Sequence, residues 1–206
     1  MLKNLFVLVC AAILAGCATS EPTWVTVPLA SVESPKRVYI SQSPEYRPPR
    51  FAQGTPFFLL SSLMDMHGDA EDGKRFSAFI RENNLDIEGL ALDVFSEELR
   101  ANGPFDSVVD GGGDGQVQLV IADYGLERGW SFTRSKPLLR LEARLFDVNG
   151  KMLWEDIADV TGYSEVAAAR SLDEWMNDPD GLRSAFEAAM RKASRELVKN
   201  MHQYRG

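Results

Sequence analysis

The longest regular alternation of apolar and polar positions lies towards the C-terminal end. Leu182, Phe186, Ala189, Met190, Ala193, Leu197 and Met201 recur at three- and four-residue spacings. This spacing predicts a helix from about Asp180 to Gln203 with one apolar stripe, while Arg183, Glu187, Arg191, Lys192, Arg195 and Lys199 lie elsewhere on it. A second helical pattern covers Glu71 to Asn102, with Phe76, Phe79 and Ile80 on one face and then Ile87, Leu90, Ala91, Val94, Phe95 and Leu99 on another. A polar break at 83–84 divides it into two helices, the second capped by Asn84 or Asp86, and Gly103-Pro104 ends it. Ser171-Leu172-Asp173-Glu174 has the form of a capping box that opens a short helix, which Pro179 punctuates.

Elsewhere the period is two. Residues 37–40 (RVYI), 105–109 (FDSVV), 116–126, 137–148 and 151–164 are expected to be strands. In 137–148 the alternation is cleanest: Leu139, Leu141, Ala143 and Leu145 point one way, and Arg140, Glu142 and Arg144 point to a wet face. Asn149-Gly150 marks a hairpin with a type I′ turn, which needs positive φ at both central residues. The three prolines of 43–50 make that stretch extended or turning and keep it out of a strand interior. The run Phe57, Phe58, Leu59, Leu60 is compatible with a buried strand, a helix start or an exposed contact surface. The expected fold class is α+β: a two-layer domain with a mainly antiparallel sheet and helices packed on one face.

The N-terminal segment does not belong to this fold. Met1 and Lys3 precede an apolar run from Leu5 to Leu14 that ends on Ala15-Gly16, the arrangement of a secretory signal peptide, and the run is too short to cross a bilayer stably. Leu14-Ala15-Gly16-Cys17 resembles the lipobox of bacterial lipoproteins position by position. The resemblance implies cleavage before Cys17, a diacylglyceryl group on its thiol and acylation of the new amino terminus. Two or more acyl chains make a stable anchor where a single one is marginal. Ala18 stands where that family would carry an aspartate to keep the chain at the inner membrane, so the resemblance implies the periplasmic face of the outer membrane. The expected organisation is a signal peptide at 1–16, a lipidated N-terminus and tether at 17–36, and one α+β periplasmic domain at 37–206.

Composition narrows the function classes. The chain carries 22 basic and 30 acidic residues for a net charge of −8. Removal of Lys3 with the signal would leave 21 basic residues and a charge near −9, which argues against nucleic acid and against electrostatic attraction to anionic lipid. Of the two cysteines, Cys10 would leave with the signal and Cys17 would be alkylated, so no disulfide is expected and stability must come from a core.

The chemically suggestive residues each have a plain alternative. Asp110 to Gly115 (DGGGDG) lacks a carboxylate at the twelfth position of a calcium loop, which is Ile121, and lacks the Gly-Lys-Ser/Thr of a phosphate loop, so a flexible interstrand loop is expected. His67 and His202 have no partner at zinc-ligand spacing. Asp123, Glu127, Glu155, Asp156 and Asp159 offer paired carboxylates for acid–base chemistry, against solvated strand ends or partners for Arg140 and Arg144. Trp130, Trp154 and Trp175 are weighed as core or lid residues against a sugar platform. No cofactor, metal or catalytic residue is assigned. Residues 76–200, with LEARLFDVNGKMLWED at their centre, loosely resemble small bacterial envelope lipoproteins, some of them auxiliary to transport systems. The expected function is therefore binding, as an accessory of an envelope transport or assembly complex, with a lipid or small-ligand carrier and a periplasmic hydrolase as alternatives.

Overall fold

The computed structural model describes residues 35–41, 45–46, 50–53, 62–128 and 133–203. Cys17, the tether up to residue 34, Phe57–Leu60 and Trp130 lie outside the described residues; Pro35 and Lys36, expected in the tether, already belong to the domain, since Pro35 is buried and the Lys36 carbonyl oxygen accepts from Asp106 N–H at 2.9 Å. Seven strands form one sheet: β1 (Arg37–Ile40), β2 (Glu45–Tyr46), β3 (Arg50–Gln53), β4 (Ser107–Val109), β5 (Gly115–Arg128), β6 (Ser135–Asp147) and β7 (Met152–Val160). Among the described residues four helices accompany them: α1 (Ser62–Glu82), α2 (Ile87–Asn102), α3 (Leu172–Met176) and α4 (Pro179–Gln203). The fold is α+β, as expected.

The sheet is built around β5 and β6, whose antiparallel register runs from Gly115 opposite Asp147 to Arg128 opposite Ser135. β7 continues the meander on the other side of β6. The strand order is β4-β1-β5-β6-β7, with β2 and β3 following β1 along the same edge of β5. All three run parallel to β5, so the passage from Arg37 to Gln53 lies along that one strand in three short pieces. The prolines of 43–50 explain the interruptions, because a proline cannot donate to the ladder.

Because β1 sits between β4 and β5, residues 110–114 must carry the chain across β1. The crossing is made at Arg37, whose carbonyl oxygen accepts from Asp114 N–H at 2.7 Å. A Cβ on Gly113 would lie 2.7 Å from that same oxygen, and Gly112 has φ of 66°. The glycine run is thus the material of a close crossing, a tighter role than the flexible loop expected of it.

The β6–β7 hairpin forms where expected, but its turn is different. Gly150 N–H donates to Asp147 O at 3.0 Å and Gly150 alone has positive φ, 77°. This is a type I turn over Asp147–Gly150 followed by a left-handed glycine, which replaces the expected type I′ geometry. The cause is Asp147: its carboxylate accepts from the N–H groups of Asn149 at 2.8 Å and Lys151 at 2.9 Å. Those bonds hold its carboxyl below the usual carboxylate range.

The helices cover one face. The whole expected stripe of α4, Leu182 to Met201, is buried, and it packs on β6 and β7. α2 lies beside α4, with Ala91, Val94, Phe95 and Leu99 buried. Asp86 caps it by accepting from Gly89 N–H at 2.8 Å, while Asn84 takes positive φ in the turn before. The capping box at Ser171 and Glu174 forms in full at the start of α3. Phe186 is enclosed between Phe76 of α1, at 6.4 Å between ring centroids, and Tyr124 of β5, at 6.2 Å and edge-on. One apolar cluster joins all these residues. Phe186→Ala should therefore cost about 3–5 kcal/mol, the usual range for an emptied aromatic site. Urea denaturation checks it, and an unchanged midpoint would show that α4 does not rest on this contact.

Candidate functional site

The two sheet faces divide the candidate carboxylates. Asp156 shares the inner face with Trp154 and Ala158, and there it accepts from Asn200 Nδ2 of α4 at 2.7 Å. Strict alternation along 116–126 would put Asp123 on the face of Val117, Leu119 and Ile121. The register shift between Ile121 and Asp123 inserts Ala122 and turns Asp123 to the outer face, opposite Arg140. Arg140 also donates to both carboxylate oxygens of Asp159, from Nε at 2.6 Å and Nη2 at 3.0 Å. Glu127 accepts from Gly162 N–H at 2.5 Å and so fixes the turn that follows β7. Asp156 is thus alone of the five on the inner face, while Asp123, Glu127, Glu155 and Asp159 lie on the outer one, where Asp123 and Asp159 share Arg140.

The tryptophans and histidines are likewise placed. Trp154 and Trp175 are buried, and the Trp175 indole donates to Ser135 O at 3.1 Å under the Arg170 guanidinium, which lies 4.7 Å above the ring. His202 Nε2 is 2.6 Å from Asn102 O, joining the last turns of α4 and α2. His67 lies on α1, where its side chain is outside the described residues.

The outer face holds one feature that alternation alone misplaces. Glu142 points away from the helices, as expected, yet it is only 6% exposed. It contacts the Arg144 guanidinium, whose Nε donates to Glu155 at 2.8 Å across the strand pair. Burial, and then the adjoining Glu155 carboxyl, push the Glu142 carboxyl above its ordinary value, against the attraction of Arg144. Val120, directly opposite Glu142, is buried too, as is Leu138 on the same face beyond the exposed Arg140. Burial on this face is thus local, on a sheet side that the residue pattern predicts to be wet.

Two surfaces went unmarked in the sequence. An open groove of about 670 Å³ runs between α4 and the turn after β7, with Glu165 and Val166 on one wall and Lys192, Glu196 and Lys199 on the other. Its signal was present in the basic positions of α4, but the opposite wall comes from a non-local turn. At one end of the sheet the hairpin tip exposes Val148 to 76% and Met152 to 44%. Asn149-Gly150 announced the turn and said nothing of the apolar residues beside it.

Glu142 supplies a measurable consequence. Its native pKa lies above the ordinary 4.5, so between the two values the native state binds more protons than the unfolded chain, and stability falls as pH rises through that window. Glu142→Gln should accordingly be more stable than the wild type at pH 7, with the difference shrinking as the pH is lowered below 4.5. Denaturation curves at a series of pH values check this. A glutamine variant less stable at pH 7 would mean that the Arg144 contact outweighs burial.

No family model matches the chain, and no curated protein matches it. Among solved structures it is similar to a PelC dodecamer from Paraburkholderia phytofirmans, at 12% identity and a TM-score of 0.30, over 84% of this chain and 90% of that one. It is also similar to a neuraminyllactose-binding hemagglutinin homolog from Helicobacter pylori, at 11% identity and a TM-score of 0.31, over 84% and 95% of the two chains. Both likenesses are too slight to establish a shared fold.

Proposed function

We propose that this chain is a lipid-anchored protein of the bacterial envelope, held on the periplasmic face of the outer membrane, that acts by binding as an accessory of a transport or assembly complex. The observation that carries the reading is Leu14-Ala15-Gly16-Cys17 at the end of an apolar run of about ten residues. The run is what an export machinery recognises, and the cysteine is the acyl acceptor. No helix among the described residues is long and apolar enough to cross a membrane.

The domain supports binding through the surfaces it presents. A groove with walls of mixed charge suits polar side chains of a partner, and the apolar hairpin tip suits a contact that excludes water. The carboxylates that could serve chemistry are occupied in holding the domain together: Asp156 with α4, Glu127 with the turn at Gly162, Asp159 with Arg140. The run Phe57–Leu60 remains a candidate contact of this same reading.

Two measurements test the proposal. Cys17→Ser should abolish incorporation of radioactive fatty acid and move the chain out of the membrane fraction. Label retained on the variant would remove the anchor. Crosslinking in cells from a photoreactive residue at Phe58 should capture one envelope protein. Extractable lipid in its place would favour a carrier, and hydrolysis of an ester, phosphate or glycoside by the purified chain would replace binding with catalysis.

A further inference from the structure

Three large hydrophobic residues among those described are exposed: Val148, Met152 and Tyr163. The first two sit within five residues of each other at the β6–β7 turn, with Phe146 half-buried beside them. Tyr163 lies at the opposite end of the sheet, beyond the end of β7. Nothing in the turn's backbone calls for a β-branched apolar side chain at Val148, since that position of a type I turn accepts most residues. The turn is also held in shape by Asp147, whose carboxylate is committed to the N–H groups of Asn149 and Lys151. Val148 and Met152 are thus presented on a preformed tip.

The position of this tip relative to the N-terminal segment gives it meaning. Pro35, the first described residue, is buried against Gly115, and Gly115 faces Asp147 across the β5–β6 ladder. The chain therefore enters the domain one strand away from the base of the hairpin. Cys17 is eighteen residues before Pro35, which limits their separation to ~65 Å even at full extension. We propose that the hairpin tip, Phe146, Val148 and Met152, rests in the lipid surface that holds the acylated Cys17. The proposal rests on the lipid-anchor reading above and adds the domain's orientation to it. Lys151, beside the tip, can extend its amine to the headgroups while its stem lies along the apolar side chains. Opposite the tip, the turn that follows the end of β7 then faces away from the membrane, free for a partner.

The acyl anchor and the tip do different work. Two apolar side chains and a half-buried third are too little to hold an acidic chain on a membrane, but an anchor keeps them at the surface at high effective concentration. The tip then fixes which way the domain faces.

Full-length chain carrying Val148→Cys, labelled with an environment-sensitive fluorophore, tests this directly. The new thiol is the single free one once the signal has left and Cys17 is acylated. The lipidated protein is reconstituted into phosphatidylethanolamine–phosphatidylglycerol vesicles bearing nitroxides at two depths, and Glu165→Cys is labelled in parallel. The label at 148 should shift to the blue and be quenched at a depth of about 5–10 Å, where interfacial apolar side chains settle. The label at 165 should be unchanged. Protein that floats with the vesicles while the label at 148 stays unquenched overturns the orientation and leaves the anchor standing; capture of an envelope protein by a crosslinker at 148 overturns it in favour of a protein contact. Protein that does not float at all removes the anchor and the orientation together.

Discussion

The pairing of β5 with β6 is the constraint from which the rest of the domain follows. Its register runs the full length of both strands and places Val117, Leu119, Ile121, Leu139, Leu141, Ala143 and Leu145 on one face as a continuous apolar floor. A floor of that size must be covered, and α2 and α4 supply stripes of matching spacing. The free edge of β5 is equally long, and three short strands separated by prolines are strung along it in place of one. The single irregularity, at Ala122, is what lets Tyr124 and Leu126 rejoin the inner face after Asp123 has been sent to the outer one. Without that bulge, either Asp123 would be buried under the helices or the last part of β5 would turn its apolar residues outward.

What could be read in the sequence is what is decided locally. The α4 stripe, the capping box at Ser171, the cap at Asp86 and the β6–β7 hairpin each lie within a few residues of their own determinants, and each is present. The parallel attachment of 37–53 to β5 joins residues some 75 positions apart, and nothing in a local period encodes it. The turn type went astray for a related reason. Asn149-Gly150 favours the I′ form in isolation, but Asp147 supplies two side-chain bonds that a type I turn can use. The same split holds for the candidate site. The run ending at Cys17 is a linear signal, legible because the machinery that reads it also reads linearly, whereas the groove beside Lys199 exists only after the turn at Glu165 has been folded over α4.

Charges play a registering role in this structure more than a stabilising one. Arg128 and Arg75 both reach Asp72 of α1, at 3.2 and 3.3 Å, and Arg75 continues to Asp173 at 2.7 Å, so Asp72 ties β5 to α1 and Asp173 ties α3 to it. Arg191 reaches Glu97 at 2.9 Å and Arg195 reaches Glu98 at 3.7 Å, which fixes α4 along α2. The exposed ones among these pairs add little stability, because water screens them and two long side chains must be held in one geometry. Their effect is to select one sliding position among several that apolar stripes would tolerate. Glu142 is the counterexample, a carboxylate whose burial costs stability at neutral pH and whose neighbours only partly offset it.

The helix pairings also fix a direction. Glu97, Glu98 and Asn102 of α2 meet Arg191, Arg195 and His202 of α4 in the same order, so the two helices run parallel and both end near the place where Lys36 and Arg37 enter the sheet. Helix C-terminal ends carry negative partial charge, and Asp106, Asp110 and Asp114 lie at the same end of the domain. Lys36, Arg37, Arg100 and Lys151 stand at that end too, with Arg37 on Asp114 at 3.3 Å and Arg100 on Asp110 at 3.6 Å, so its acids are matched by basic groups. In the proposed orientation the acyl chains therefore supply the adhesion, and the small rigid wedge of Val148 and Met152 decides which end of the domain approaches the surface.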